Sequence, residues 1–371
     1  MRYLNDWAHS LLSSAGIATD GKRPFDIVVR DPRIFSRIFW TGMLGLGDGY
    51  VDGQWDCASV DQFIDRTARA DVGSRLGYFI ETLQALRDRL FNLQSVRRAF
   101  VVGERHYDLG NELYAEMLGP TMGYSSGYYR DGAQTLDEAQ YAKFDRICRL
   151  LKLKPGMRVL EVGCGWGTFA QYAAENYSVS VVGISVSREQ LKFADEHKGT
   201  LPIEFHLVDY RNMPTSWRAS FDAVVSVEMI EAVGVKNFRT FMSTIAEALK
   251  PGGTFMMQVI VGSGIPDSWI STRIFPNGVL PSIRQIAVAI ENLFDIEDVE
   301  SFGEDYDRTL MDWHARFEKA WPTIKLMRDE KGILRYDERF RRMWHYYLLL
   351  CAGGFRSRKF YVSQMLMSKR S

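Results

Sequence analysis

The sequence has no excess of charge of either sign, no long apolar run and little cysteine. Forty-six basic residues balance 46 acidic ones, so no overall field draws the chain to nucleic acid or anionic lipid. Any such contact must come from a local patch. No stretch approaches the roughly 18 consecutive apolar residues of a membrane-spanning helix. The opening Met1-Arg2-Tyr3-Leu4-Asn5-Asp6-Trp7 is too polar and interrupted for a signal peptide. The four cysteines (Cys57, Cys148, Cys164, Cys351) show neither metal-ligand spacing nor a disulfide framework and suit a reducing cytoplasm. Repeats and low-complexity tracts are also missing. At 371 residues there is room for two domains, and aromatics at 13% are enough to line a large apolar pocket.

What is present changes character along the chain. Residues 1 to about 95 lack β–α alternation, and Val60 to Arg69 and Arg75 to Leu90 have helical apolar spacing. The glycine-rich Gly42-Met43-Leu44-Gly45-Leu46-Gly47-Asp48-Gly49-Tyr50 predicts a loop or tight turn between helices. A junction around 92–98 carries Arg97 and Arg98; with Arg87 and Arg89 these suit either a lipid surface or a solvated face. From Leu136 the pattern alternates: Asp137 to Lys152 helix, Ser178 to Ile184 strand, Arg188 to His197 helix, Ile203 to Val208 and Phe221 to Val227 strands, Val235 to Leu249 helix, Thr254 to Ile260 strand. That order predicts a doubly wound, mainly parallel sheet with its ligand at the carboxyl ends of the strands.

The strand at Val159-Leu160-Glu161-Val162 runs into Gly163-Cys164-Gly165-Trp166-Gly167, and helical spacing resumes at Phe169. Gly163, Gly165 and Gly167 allow a sharp turn and close approach to a ligand. Glu161 would repel a phosphate; a cationic, hydroxyl-rich ligand fits better, and S-adenosylmethionine (SAM) is one. Three later segments reach the same end of the sheet. Ser185, with Gln190 one turn on, suits a ribose. Asp209, followed by Tyr210, can accept from an adenine amino group. Ser226 to Glu231 brings acid beside the reacting centre. Ahead of the sheet, His106-Tyr107-Asp108-Leu109-Gly110-Asn111 and Tyr124-Ser125-Ser126-Gly127-Tyr128-Tyr129 form an aromatic polar cluster, whose ring faces can stabilise a sulfonium.

Those two segments, with Leu153-Lys154-Pro155-Gly156 and the glycine loop, Ile274-Phe275-Pro276-Asn277-Gly278 and Cys351-Ala352-Gly353, resemble the cyclopropane-fatty-acyl-phospholipid synthase family. So do Leu44-Gly45-Leu46-Gly47 and Tyr50-Val51-Asp52-Gly53, and the likeness runs nearly end to end. The resemblance implies a class I SAM-dependent methyltransferase fold, a Rossmann-like doubly wound sheet in residues 96–371, after a small, mostly helical lipid-contact domain in 1–95. It implies methyl transfer from SAM to the double bond of an unsaturated acyl chain in a membrane phospholipid. Proton loss then closes a cyclopropane. A cytoplasmic homodimer peripheral to the inner membrane face, with no nucleic-acid partner, goes with it.

By the same resemblance Tyr124, Ser125, Glu161, Gly163, Gly165, Gly167, Ser185, Gln190, Asp209 and Tyr210 bind the cofactor. A bicarbonate base is held by Glu231, Tyr306, the backbone of Ile260, and two positions that depart from the family. Ser126 stands where a cysteine is usual and Gln258 where a histidine is usual, and Ala232 follows Glu231 where many members carry histidine. Serine and glutamine can donate hydrogen bonds but supply no titrating group. Cys351 is either an active-site thiol or a small residue packed beside Gly353 and Gly354. A related lipid C-methyltransferase giving a methylene or methyl-branched chain, and a catalytically silent lipid-binding protein, are the alternatives.

Overall fold

A computed structural model describes residues 2–75, 109–263 and 267–370. The chain forms two compact units: Met1–Phe91, Pro266–Pro276 and Tyr306–Phe360 make one, and Asn92–Ile265, Asn277–Asp305 and Tyr361–Ser371 the other. The sequence suggested a single cut near residue 95; the units interleave instead. Most of the expected Arg75 to Leu90 helix, the 92–98 junction with its arginines, and His106-Tyr107-Asp108 lie outside the described residues.

The first unit holds a two-stranded antiparallel ribbon, β1 (Ile27–Val29) and β2 (Trp55–Cys57). Around it are the helices Arg2–Ser14, Arg33–Val51, Val60–Arg69 and Glu338–Arg356. The Gly42–Tyr50 segment is not a loop. It lies within the Arg33–Val51 helix, which kinks at Gly42, where φ is +57°. The later glycines serve packing: a Cβ on Gly47 would stand 2.4 Å from the Trp269 ring. Beside it the buried Asp48 accepts from the Trp269 indole at 3.2 Å and from Arg273 at 2.9 and 2.7 Å. The Glu338–Arg356 helix joins this unit because Gly353 lets it approach the Val60–Arg69 helix; a Cβ there would be 2.4 Å from the Asp61 carbonyl oxygen. Arg356 holds Asp307 at 2.8 and 2.9 Å and also pairs with Asp61.

The second unit is built on seven strands: β3 (Arg158–Val162), β4 (Ser180–Ser185), β5 (Ile203–Leu207), β6 (Phe221–Val227), β7 (Leu249–Val261), β8 (Phe294–Ser301) and β9 (Tyr361–Lys369). Their order is β5-β4-β3-β6-β7-β9-β8. Strands β3 to β7 run parallel, as predicted, while β9 lies antiparallel between β7 and β8. Strand alternation sends Val159, Val181, Ala223, Val225 and Met256 to one face, under the helices Leu136–Leu150 and Thr168–Tyr177. Leu160, Val162, Val182, Val224 and Phe255 go to the other, under Phe238–Ala248 and Ile283–Ile290. Each of these valine, leucine, methionine and phenylalanine side chains, fully buried, contributes about 1.5–3 kcal/mol. Thr135 starts the Leu136–Leu150 helix with a capping box closed by Glu138. Among the described residues no helix is long and apolar enough to cross a membrane.

Candidate active site

At the carboxyl end of β3 the glycine loop folds back on β4: the N–H groups of Gly163 and Cys164 both donate to the Ile184 carbonyl, at 2.9 and 3.0 Å. Gly163, Gly165 and Gly167 have φ of +85°, +52° and +77°, conformations that favour glycine. A Cβ on Gly163 would lie 2.7 Å from Met229 Cγ, and one on Gly167 2.6 Å from the Phe205 ring. The cradle is therefore closed to side chains and open to a ligand. Glu161, only 4% exposed, leaves Oε2 buried without a partner. Burial pushes its pKa well above the usual carboxylate value, against the Ala170 N–H and the Lys143 charge. An orphaned acceptor in an apolar site costs free energy until a donor arrives. Sterically and in its acceptors, the cradle fits the amino and ribose groups of SAM.

The other cofactor candidates gather as the strand order requires. Ser185 ends β4, its hydroxyl 3.4 Å from Gln190 Oε1, and Ser187 caps the following helix through the Gln190 N–H. Both Ser185 and Gln190 are buried. Asp209 is already engaged: Oδ1 accepts from the N–H and Nε of Arg211 at 3.0 and 2.7 Å, and Oδ2 from Nη2 at 2.6 Å. An adenine amino group must share those oxygens with Arg211. Tyr210 packs edge-on to Phe241, its hydroxyl buried without a partner, and burial raises that hydroxyl to a pKa of about 12. Tyr124 meets Tyr114 at 5.3 Å between ring centroids, Tyr114 meets Trp166 of the glycine loop at 4.9 Å, and the Trp166 indole donates to Asn111 at 2.9 Å. This aromatic wall ties the segment ahead of the sheet to the loop.

Ser125 reveals a residue that sequence reasoning missed. Its hydroxyl takes a 2.6 Å hydrogen bond from Lys143, which also donates to Gln140 Oε1. Gln140 in turn donates to the Ser125 carbonyl at 2.8 Å. Lys143 is fully buried. Burial brings its pKa down to about 7, with the Glu228 and Glu161 carboxyls opposing. The available signal was two polar residues, Gln140 and Lys143, on the apolar face that carries Phe144 and Ile147.

The proposed base region centres on two acids. Glu228, in a left-handed conformation at φ +50°, accepts from the Ser126 N–H at 3.1 Å and from Gln258 Nε2 at 2.7 Å. Gln258 Oε1 accepts from Gln364 on β9 at 2.9 Å, and Gln364 from Arg146 at 2.9 Å, so a polar ladder crosses the sheet. The Ser126 hydroxyl turns to the Gly127 carbonyl at 2.9 Å. Glu231 lies in a short 3-10 turn, Ile230–Ala232. Its Oε1 accepts the Ile260 N–H at 2.6 Å and its Oε2 is buried without a partner. Burial, then the neighbouring Glu228, raises its pKa to about 8, against the Ile260 N–H. In this arrangement Ser126 and Gln258 address Glu228, and Ile260 addresses Glu231.

Tyr306 and Cys351 belong to the first unit. Tyr306 stacks on Phe355 at 4.4 Å and meets Trp313 edge-on. Cys351 is half-buried on the Glu338–Arg356 helix, and burial of its thiol raises the pKa well above the usual value. It is a poor source of thiolate.

Comparison with known proteins decides the family. A family model described as mycolic acid cyclopropane synthetase matches residues 94–365. The chain is 47% identical over 366 residues to the cyclopropane-fatty-acyl-phospholipid synthase of Escherichia coli (strain K12), covering 98% of this chain and 92% of that one. The chain belongs to the cyclopropane synthase family. It is also 30% identical to a tuberculostearic acid methyltransferase of Mycobacterium tuberculosis, over 94% of this chain and 84% of that one. Among solved structures, the mycolic acid cyclopropane synthase CmaA1, complexed with SAH and CTAB, matches with a TM-score of 0.64 and 30% identity, covering 73% of this chain and 98% of that one. As a member of the cyclopropane synthase family this protein is a SAM-dependent transferase with the class I methyltransferase fold, as the resemblance led one to expect.

Proposed function

We propose that the protein transfers a methylene group from SAM to the double bond of unsaturated acyl chains in membrane phospholipids, forming cyclopropane fatty acids. The observation that carries this reading is the buried carboxyl of Glu231, with one oxygen fixed by Ile260 and the other unpartnered. An alkene is a weak nucleophile, so the site must align it with the methyl donor and keep water out. SAM, when bound, supplies the methyl group; the lipid gains that methyl, loses one proton and closes a ring, a net addition of one CH₂.

The chain's own residues divide the work. Gly163, Gly165 and Gly167 admit the cofactor, Glu161 accepts from its amino group, Ser185 and Gln190 face its ribose, and Asp209 and Tyr210 bound its adenine. Tyr124 offers a ring face to the sulfonium, worth roughly 0.5–2 kcal/mol, while Ser125 is locked by Lys143. With a pKa of about 8, Glu231 is protonated at neutral pH, and its Oε2 can donate to an oxyanion. That fits bicarbonate, which would supply the base. Ser126 and Gln258 act by holding Glu228. Cys351 packs and takes no chemical part, because attack comes from the π-bond.

The enzyme works as a cytoplasmic homodimer at the inner membrane face, and the N-terminal unit makes the lipid contact. In support, Trp40 is 68% exposed beside the exposed Phe39 on the Arg33–Val51 helix. Incubation with labelled SAM and vesicles of unsaturated phospholipid, followed by proton NMR of the lipid, tests the reading. Upfield ring-methylene signals support it. Vinylic signals or a methyl branch would assign the second reading, a lipid C-methyltransferase, which the similarity to a tuberculostearic acid methyltransferase favours. Absence of label from the lipid would leave a lipid-binding protein.

A further inference from the structure

The first unit contains a side-chain cluster that methyl transfer does not use. His314 and Glu318 stand one turn apart on the Gly303–Ile324 helix, and His345 projects from the Glu338–Arg356 helix. Nδ1 of His345 lies 2.9 Å from Nε2 of His314 and 3.0 Å from Oε1 of Glu318; the remaining edge, His314 Nε2 to Glu318 Oε1, is 3.9 Å. At most one hydrogen can lie between the two ring nitrogens, and once an ion displaces it, lone pairs from three residues converge on one small region. A tetrahedral zinc ion with bonds of about 2.0–2.2 Å has ligand–ligand edges of roughly 3.3–3.5 Å. The three measured edges fall on both sides of that value, so shifts of roughly half an ångström would seat the ion.

The surroundings suit such a site. Arg341 takes the other oxygen of Glu318 at 2.6 and 3.2 Å. Outer partners of this kind orient metal-binding carboxylates, and here Oε1 is left turned towards the histidines. The Tyr50 ring lies parallel to His345, 5.9 Å between centroids and 10° between planes, which sets the imidazole plane. The three side chains are 18–23% exposed, open enough to admit an ion and a water as fourth ligand.

We propose that His314, Glu318 and His345 form a binding site for a divalent transition-metal ion of the zinc class, bracing the Gly303–Ile324 helix against the Glu338–Arg356 helix. Two imidazoles and one carboxylate select zinc or cobalt over magnesium and calcium, which prefer all-oxygen shells. The role is structural, with no claim on the methyl-transfer site.

The full chain, dialysed against a chelator and then titrated with Co²⁺, should give the visible d–d bands of a tetrahedral site at one equivalent, and Zn²⁺ should abolish them. Saturating Zn²⁺ should raise the melting temperature, and Mg²⁺ should not. His314→Ala and His345→Ala should each weaken Zn²⁺ binding at least tenfold by calorimetry. Circular dichroism of the metal-free variants separates loss of the site from loss of the fold; if either alanine variant unfolds, Glu318→Gln, which keeps the side-chain shape, is read the same way. Identical Zn²⁺ isotherms for the parent and a folded variant, or no tetrahedral Co²⁺ spectrum, would overturn the proposal and leave the cluster a hydrogen-bonded brace.

Discussion

Oε1 of Glu231 accepts the Ile260 N–H at 2.6 Å, while Oε2 of the same carboxyl has no partner and is shut off from solvent. A neutral glutamic acid in that setting accepts through one oxygen and donates through the other, and glutamine can do both. Glu231→Gln is therefore expected to keep turnover within about tenfold of the parent. Glu231→Ala should lose about 10²–10³-fold, as removal of a preorganised donor does. SAM affinity, measured by calorimetry, should change little in either. If glutamine proved as damaging as alanine, the ionised carboxylate would be the active form.

The same group sets a pH dependence. Its folded-state pKa of about 8 lies above the ordinary 4.5, so the folded protein binds the extra proton between those values. The stability it contributes is fully present below about 4.5 and is lost as pH rises towards 8, by up to about 1.4 kcal/mol per pH unit. Denaturant titrations across pH 5–8.5 should show that decline in the parent and a shallower one in Glu231→Gln. Turnover should also fall as pH passes 8 in the parent, and less so in the variant.

Lys143 is the second buried group with an unusual setting. Lys143→Met keeps much of the volume but leaves the Ser125 hydroxyl and Gln140 without their donor. SAM binding is expected to weaken about tenfold, equivalent to about 1.4 kcal/mol, with the far-UV circular dichroism spectrum unchanged. Unaltered SAM affinity would mean that Lys143 supports only the helix.

How far these features were legible depended on whether the apolar pattern was clean. The cofactor loop was readable because Glu161 and three glycines follow an unbroken apolar strand. The Gly42–Tyr50 segment misled because glycine marks close helix packing as well as turns, and only the Trp269 ring beside Gly47 tells them apart. Strand β8 was not read because it has only three apolar residues among its acidic ones, and two of them, Ile296 and Val299, are exposed. In β9 the polar Ser363 and Gln364 sit buried mid-strand, where Gln364 serves the ladder to Gln258. The His314, Glu318 and His345 group escaped notice because His345 comes from a separate helix, far along the chain.

Trp40 offers a test of the membrane contact. Trp40→Ala, made with Phe39→Ala, should reduce activity on phospholipid vesicles about tenfold, since partial burial of the two rings in a bilayer is worth about 1.5 kcal/mol together. Activity on detergent-dispersed lipid should be unchanged. Equal loss on both substrates would place the two rings in the fold of the first unit and not at the bilayer.

The position of β9 has a consequence for how the protein is made. Residues 361–369 fill the slot between β7 and β8, so the sheet cannot close until β9 has been made. Until then β7 presents an open edge rich in Phe255, Met256, Met257 and Val259, the kind of edge that pairs with other chains. A nascent chain is thus exposed to aggregation until β9 joins the sheet. Removing residues 361–369 would freeze every molecule at that stage, with the amide ladder to Gln258 unmade.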